Sequence, residues 1–312
     1  MNVLQCHSKG DKRFSAFYAK VIINGKLDSI ENYYQLSKRV YGEPNPKNWR
    51  DLKGKPITHF NILGKMFPKE YLSDFYKLLW IKYFDQDLIE AQKENREPLI
   101  KYASKFNEFE DIFKGKSINC QADVIKDIVK KGRSSVLKEC EEFIKLCKNE
   151  DNLLVINKDL LKSRQDIIGH QVNCQGVMGK GLALQIKRLG GVYGEYQNFC
   201  KSEDNKANLL GKCQIVKSTE GRYVANLFGQ CNYNKIGENI RRTDYHKLEE
   251  SLYNLKDYAV KNKLSVALPY KIGCELAGGD WNIVKDIILK VFNDYPVVIH
   301  KYSKASIELC KT

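Results

Sequence analysis

The two halves of the chain carry different hydrophobic rhythms. After about residue 150, short apolar runs alternate with segments whose apolar positions recur at helical spacing. The runs predict strands at Leu153–Ile156, Ile167–Val172, Cys213–Lys217, Tyr223–Phe228, Ser265–Leu268 and Val297–Tyr302. Between them the spacing predicts helices over Leu182–Leu189, Tyr193–Cys200, Asp244–Lys261 and Trp281–Phe292. On the long helix Tyr245, Leu248, Leu252, Leu255 and Ala259 form one buried stripe, with Thr243 or Asp244 as its N-cap. Strands alternating with helices predict a three-layer α/β/α domain around a mixed sheet, in which ligands bind beyond the strand carboxyl ends. The first half is mainly helical, an α+β pattern. Strands are expected at Val3–Cys6 and at Val21–Ile23, before the Asn24-Gly25 turn. Helices are expected over Ile30–Arg39, Tyr71–Phe84 and Ala122–Cys147, with Asn45–Lys55 a loop and Asp85–Pro98 an exposed helix or loop. Polar residues from Lys148 to Asn152 mark a boundary, dividing the chain into domains 1–150 and 151–312.

Composition adds little to the fold and something to the partner. At 312 residues, 43% hydrophobic and 29% charged, the chain suits a soluble protein of two domains. No apolar run approaches a membrane span, and the opening MNVLQCHSKGDKRF has no apolar core of a secretory leader. The ten cysteines are scattered without a C-x-x-C pair or a Cys/His cluster, so the sequence offers no metal site and reads as a reduced, cytoplasmic protein. A formal charge of +14, shared by both halves, favours a polyanionic partner, with nucleic acid the leading class. The plain alternative is a lysine-rich, soluble surface.

Candidate chemistry centres on Asp166–Lys187, DIIGHQVNCQGVMGKGLALQIK. A strand, a loop with Gly176, Gly179 and Gly181, and then a helix is the arrangement that brings backbone N–H groups to a phosphate. A second glycine loop, Ile272 to Asp280, follows the strand that ends near Leu268. Two such loops suit a diphosphate held from both sides. Lys180 is followed by Gly181, which excludes a Walker A loop, and the order G-x-x-G-x-G disfavours a Rossmann dinucleotide site.

Three segments together, Asp159 in its Lys-Asp-Leu turn, Val172-Asn173 with GVMGKGLALQIK, and PYKIGCELAGGDW, resemble the macro domain over residues 151–312. The similarity is greatest to the antitoxin branch that removes ADP-ribose from DNA. The resemblance implies ADP-ribose as ligand, with no cofactor or metal. It implies that Asp159 reads the adenine amine, that Leu160 beside it is a ligand-binding residue, and that Asn173 faces the distal ribose. The pyrophosphate falls to Gly176, Val177, Met178, Gly179 and Gly181 in the first loop and to Ile272, Gly273, Cys274, Glu275, Leu276 and Ala277 in the second. Glu275 departs from the glycine usual in the family. Lys187 matches the catalytic lysine of that branch, and Asp280 is the candidate carboxylate that resolves a lysyl–ribose adduct. An amine that has lost its proton can attack an anomeric carbon. Without the resemblance, Lys187 reads as an exposed helix lysine. Phe228 or Tyr233 is a candidate cover for the distal ribose or the base, and Arg241 and Arg242 for contact with a nucleic-acid backbone.

In the first half, F-S-x-F from Phe14, Asn24-Gly25-Lys26 and S-x-E-x-Y-Y-Q from Ser29 to Gln35, followed by Lys38, resemble the opening of NADAR domains. These act as N-glycosidases on ADP-ribosylated bases. The resemblance makes Glu31 the acid/base, with Tyr34, Gln35 and Lys38 lining its pocket. Spacing alone gives a solvated helix face with a Glu–Lys pair. A weaker match runs from Phe106 to Asp123, where Asp111, Gly115 and Asn119 agree, but Lys114 and Ser117 replace an expected tryptophan and glycine.

Both resemblances point to a de-ADP-ribosylating hydrolase acting on modified nucleic acid, of use in toxin–antitoxin or phage-defence settings. The rival readings are a non-catalytic protein that sequesters ADP-ribose or a related signalling nucleotide, and a phosphatase of ADP-ribose phosphate.

Overall fold

The computed structural model describes residues 2–112, 120–149, 153–235 and 237–302. The chain divides into two compact units, Met1–Gly64 with Lys69–Lys148, and Lys65–Pro68 with Asn149–Thr312.

The first unit opens with β1 (Val3–Gln5) and the hairpin β2 (Lys20–Ile23) and β3 (Lys26–Ser29), whose two-residue turn Asn24-Gly25 has positive φ at both positions. Ser29 ends β3 and caps α1 (Ile30–Ser37), its hydroxyl accepting from the Asn32 N–H at 3.1 Å. Next come β4 (Lys38–Arg39), β5 (His59–Ile62), β6 (Lys65–Pro68, grouped with the second unit) and α2 (Leu72–Lys93). Then α3 (Leu99–Ala103), β7 (Glu108–Glu110), α4 (Gln121–Lys131), α5 (Arg133–Glu139) and α6 (Glu141–Lys148) complete the unit. The helix α2 runs through Asp85–Lys93, so that segment is helix. The buried Asp87 carboxylate accepts from the Leu99 N–H at 2.6 Å and so starts α3. The single helix expected over Ala122–Cys147 is three. Gly132 sits at φ +84°, which a continuing helix does not allow, and Cys140 closes α5. The core is aromatic: Phe60, Tyr71, Phe75 and Phe143 pack together, and Phe84 meets both Phe14 and Trp80. Trp80 is fully buried, a core residue as its pattern suggests.

The second unit builds one six-stranded sheet from β8 (Leu154–Ile156), β9 (Ile167–Asn173), β10 (Cys213–Lys217), β11 (Tyr223–Gln230), β12 (Val266–Pro269) and β13 (Val297–His300). The order is β10-β11-β9-β12-β13-β8, parallel throughout except for the antiparallel edge strand β10. Between the strands lie α7 (Gly181–Ile186), α8 (Val192–Lys201), α9 (Tyr245–Asn262) and α10 (Trp281–Val291). Alternation along the strands assigns the two faces. Ile168 and Val224 pack with Ile186 and Val192, and Val172 and Phe228 pack with Met178 and Tyr196, so α7 and α8 cover one face. On the other face α9 packs over Gly169, where a Cβ would stand 2.6 Å from Leu268 Cδ2, 3.4 Å from Leu255 Cδ2 of α9 and 3.5 Å from Leu227 Cδ1. The expected mixed α/β architecture is present.

Between the two apolar clusters on the α7/α8 face runs a buried polar chain. Asn226 Nδ2 donates to Gln214 Oε1 at 2.9 Å, which leaves its Oδ1 to accept from His170 Nε2 at 2.8 Å. Burial pulls the His170 imidazole down to about 4, against the Asn226 hydrogen bond, so the ring is neutral near pH 7. His170 therefore belongs to the packing, as a strand histidine on a covered face is expected to.

Candidate functional site

A cleft of about 710 Å³ opens at the carboxyl ends of β9, β11 and β12. That volume suits a nucleotide-sized ligand. Three segments form its walls. The first is the loop from Asn173 to Gly181. Asn173 Oδ1 accepts from the N–H groups of Gln175 and Val177, and its Nδ2 donates to the Val177 carbonyl at 2.7 Å. The Tyr196 hydroxyl donates to the Asn173 carbonyl at 2.5 Å. Asn173 thus folds its own loop as well as lining the cleft. Gly176 and Gly181 take φ of +73° and +59°, the region that a Cβ disfavours.

The second wall is the segment after β12. Gly273 sits at φ +71°, its carbonyl accepting from Thr243 Oγ1 at 2.6 Å and from the Gly279 N–H at 2.9 Å. Thr243 in turn accepts from Gln171 Nε2 at 2.9 Å, and the same nitrogen donates to Gln230 Oε1 at 2.7 Å. This buried ladder ties the second loop to β9 and β11. A Cβ on Gly181 would lie 3.7 Å from Leu276 Cδ1, so the two glycine loops face each other across the cleft.

The third wall, with Tyr233, Asn234, Lys235, Glu238 and Asn239, was not singled out in the sequence apart from Tyr233. Asn234 Nδ2 donates to the Ile240 and Leu276 carbonyls, and Arg242 holds both Asn234 Oδ1 and Glu238. The segment is polar coil without periodicity, which is why no pattern reveals it.

Residues 170–288 match the family model described as the macro domain. Residues 170–288 of the C-terminal unit form a macro domain. A curated relative, the DNA ADP-ribosyl transferase–DNA ADP-ribosyl glycohydrolase fusion protein of Thermosipho africanus (strain H17ap60334), is 25% identical over 167 residues, 48% of this chain and 42% of the relative. The chain thus spans less than half the length of that relative. Among solved structures, the macrodomain of Mycobacterium tuberculosis DarG is 25% identical, covering 48% of this chain and 97% of that one, with a TM-score of 0.41. Thermosipho africanus DarTG in complex with ADP-ribose is 22% identical, covering 55% and 50%, with a TM-score of 0.41.

Within the macro domain the expected ligand residues divide. Asn173, Val177, Gly179, Gly181, Ile272, Gly273, Glu275, Leu276 and Ala277 line the cleft together. Gly176, Met178 and Cys274 belong to its loops but not to its lining. A Cβ on Gly176 would turn toward Cys200 at 3.6 Å, and Met178 is core, 2% exposed. Burial pushes the Cys274 thiol up to about 11 and the Cys174 thiol up to about 12, so neither is an activated nucleophile. Asp159 caps a short 3-10 turn, its carboxylate accepting from the Leu161 N–H at 2.9 Å, while the Leu160 side chain is buried beside Ile168. Lys187 ends α7 as an exposed residue with its ammonium 4.1 Å from the centre of the Tyr193 ring, outside the cleft lining. Asp280 is the exposed N-cap of α10, its carboxylate accepting from the Asn282 N–H at 2.7 Å. Phe228 is fully buried and cannot cover a ligand; alternation along β11 turns it into the core with Val224. Tyr233, 43% exposed, lines the cleft. Arg242 is the brace of the third wall, and Arg241 lies over the Tyr245 ring.

In the first unit, α1 brings its four candidates into one chain of contacts. Gln35 Nε2 donates to Glu31 Oε1 at 2.9 Å, and Lys38 Nζ donates to Gln35 Oε1 at 2.9 Å. The Lys38 ammonium lies 3.9 Å from the Tyr34 ring centre, and that ring meets Tyr76 at 4.8 Å. Burial pushes the Glu31 carboxyl up, against the lowering by Gln35 and by the Lys38 charge, and nearby Asp111 adds to the rise. Burial also pulls the Lys38 amine down to about 8, against the attraction of Glu31. Desolvation therefore outweighs the pair's mutual attraction for both groups. Gly115, Asn119, Lys114 and Ser117 lie outside the described residues. A separate cleft of about 630 Å³ in this unit is lined by other residues, Arg13, Tyr83, Arg96 and Tyr102 among them. Among the described residues no group of three His, Cys, Asp or Glu side chains could hold a metal ion, and no helix is long and apolar enough to cross a membrane.

Proposed function

We propose that the macro domain binds ADP-ribose and releases it from a modified nucleic acid. The observation that carries this reading is the pair of glycine loops facing across a nucleotide-sized cleft, in a fold whose curated relative is named for DNA ADP-ribosyl glycohydrolase activity. The loops would hold the pyrophosphate. Lys187 would act as nucleophile: its amine attacks the anomeric carbon of the distal ribose, the bond to the base breaks, and the base leaves with a proton. Water then hydrolyses the lysyl–ribose adduct, assisted by Asp280, and returns the free amine. The reaction requires the long Lys187 side chain to leave the Tyr193 ring for the mouth of the cleft.

A second reading, a non-catalytic ADP-ribose binder, is favoured by two placements. The Lys187 ammonium rests against Tyr193, outside the lining, and the Asp280 carboxylate is engaged in capping α10. The Glu31–Gln35–Lys38 chain supports a further N-glycosidase centre in the NADAR-like first unit. Burial favours the protonated Glu31 carboxyl, the form from which a general acid donates.

The deciding experiment incubates wild type, Lys187→Ala and Glu31→Ala with oligonucleotides ADP-ribosylated on guanine or on thymine, alongside calorimetric titration with ADP-ribose. Loss of release in Lys187→Ala with ADP-ribose binding retained supports the hydrolase. Binding without release in wild type selects the binder. Loss of one base specificity in Glu31→Ala and of the other in Lys187→Ala supports two centres.

A further inference from the structure

Where β12 ends at the cleft, the chain carries an aromatic and basic cluster that extends outward from the start of the second loop. The Tyr270 ring lies 4.7 Å from the Trp281 ring, tilted by 56°. Two ammonium groups flank it, Lys301 Nζ at 5.0 Å and Lys271 Nζ at 5.8 Å from the Tyr270 centre. The Tyr270 N–H donates to the His300 carbonyl at 2.8 Å, which fixes the tyrosine on the sheet. Tyr270 and Lys271 line the cleft, whereas Trp281 and Lys301 lie beyond its lining. The cluster therefore leads from the cleft to the outer surface. Both rings are half-buried and both lysines exposed.

Lys271 is one of two described lysines at positive φ, the other being Lys263 at the end of α9. It holds φ +58°, the left-handed region that glycine enters without strain and a lysine does not. The strained position presents an ammonium at the rim of the cleft, beside an aromatic face. Strain kept at such a site points toward a ligand.

We infer that Tyr270 and Trp281, with Lys271 and Lys301, form a platform for a single-stranded nucleic acid. A base stacks on the aromatic pair and the two ammonium groups meet the flanking phosphates. The inference rests on the hydrolase reading only in naming why a strand lies there: a nucleotide presented at the cleft must have its neighbours outside it. Stacking and phosphate contact are independent of base sequence, so the platform takes any single strand and disfavours a duplex, whose bases are already stacked.

The test is fluorescence anisotropy of the full chain with a short, labelled, unmodified single-stranded DNA, against the duplex of the same sequence. Tyr270→Ala is expected to weaken single-strand binding about tenfold, the size of one lost stacked base. Lys301→Glu is expected to weaken it and to flatten its salt dependence by roughly 0.7 in log–log slope for each phosphate no longer neutralised. Lys271→Gly separates the proposal from a structural role, because it relieves the φ and should melt no lower than wild type while binding the strand more weakly. Unchanged strand binding in Tyr270→Ala and Lys301→Glu, or equal affinity for the duplex, overturns the platform. So does a Tyr270→Ala protein that loses ADP-ribose and keeps the strand, which assigns the ring to the adenine of the nucleotide. If wild type takes up no ADP-ribose but the variants lose the strand, the hydrolase reading falls and the platform stands.

Discussion

Substituting Gly273 by alanine tests whether the second loop is held by the geometry at its base. Two costs are expected, and they differ in kind. At φ +71° an alanine is strained by about 1 kcal/mol. Its Cβ would also stand 2.4 Å from Gln171 Oε1 and 3.1 Å from Thr243 Oγ1. A long side chain on a surface would swing away at small cost. Gln171 cannot, because its Nε2 is tied to Gln230 at 2.7 Å and to Thr243 at 2.9 Å. Moving it breaks both bonds, about 1 kcal/mol each. The sum is about 3 kcal/mol, or roughly 6–12 °C in the melting of a unit of this size. Gly221→Ala provides the control: φ is +87°, nothing lies within 4 Å of the new Cβ, and only the backbone cost of about 1 kcal/mol remains. The assay is thermal melting of both variants, with calorimetric titration of ADP-ribose. Gly273→Ala should melt several degrees below Gly221→Ala and bind the nucleotide more weakly, because the loop must shift. Equal melting of the two variants would refute the claim that the Gln171–Thr243 ladder holds the loop.

Asp244→Ala should destabilise the macro domain by about 1 kcal/mol, since its carboxylate accepts from the Lys247 N–H at 3.1 Å and caps the 18-residue helix α9. Asp244→Asn should recover most of that in the same melting experiment. The Glu31–Lys38 pair predicts a pH dependence with a definite sign. The native Lys38 amine titrates near 8 against an ordinary value of 10.5, so between these limits the unfolded chain binds more protons and stability rises with pH. Lys38→Met should remove that rise, read as the change in urea midpoint between about pH 8 and pH 10. It should also let the Glu31 carboxyl climb further, visible by carbon-detected NMR titration, because the lysine charge that lowers it is gone.

The sheet was legible because its central strands are short, nearly continuous apolar runs covered on both faces, and α9 because Leu248, Leu252, Leu255 and Ala259 repeat on one stripe. The two glycine loops were legible for a different reason. Positive φ at Gly176, Gly181 and Gly273 favours glycine, so the backbone shape is reflected in residue type. Where shape is instead held by side-chain hydrogen bonds between distant segments, sequence gives no sign. Asn234 reaches the Leu276 carbonyl and Gln171 reaches Thr243 across 42 and 72 positions, and neither pairing leaves a periodicity to read. The breaks near Gly132 and Cys140 were missed because the apolar spacing from Ala122 to Cys147 stays helical across both turns. The same limit bears on Lys187. Its spacing marks it as the last residue of a helical turn, but whether a lysine there faces a cleft or an aromatic ring depends on Tyr193, six residues on and at the start of α8. A motif can therefore name the residue that should react, while the ring it rests against decides what must move before it does.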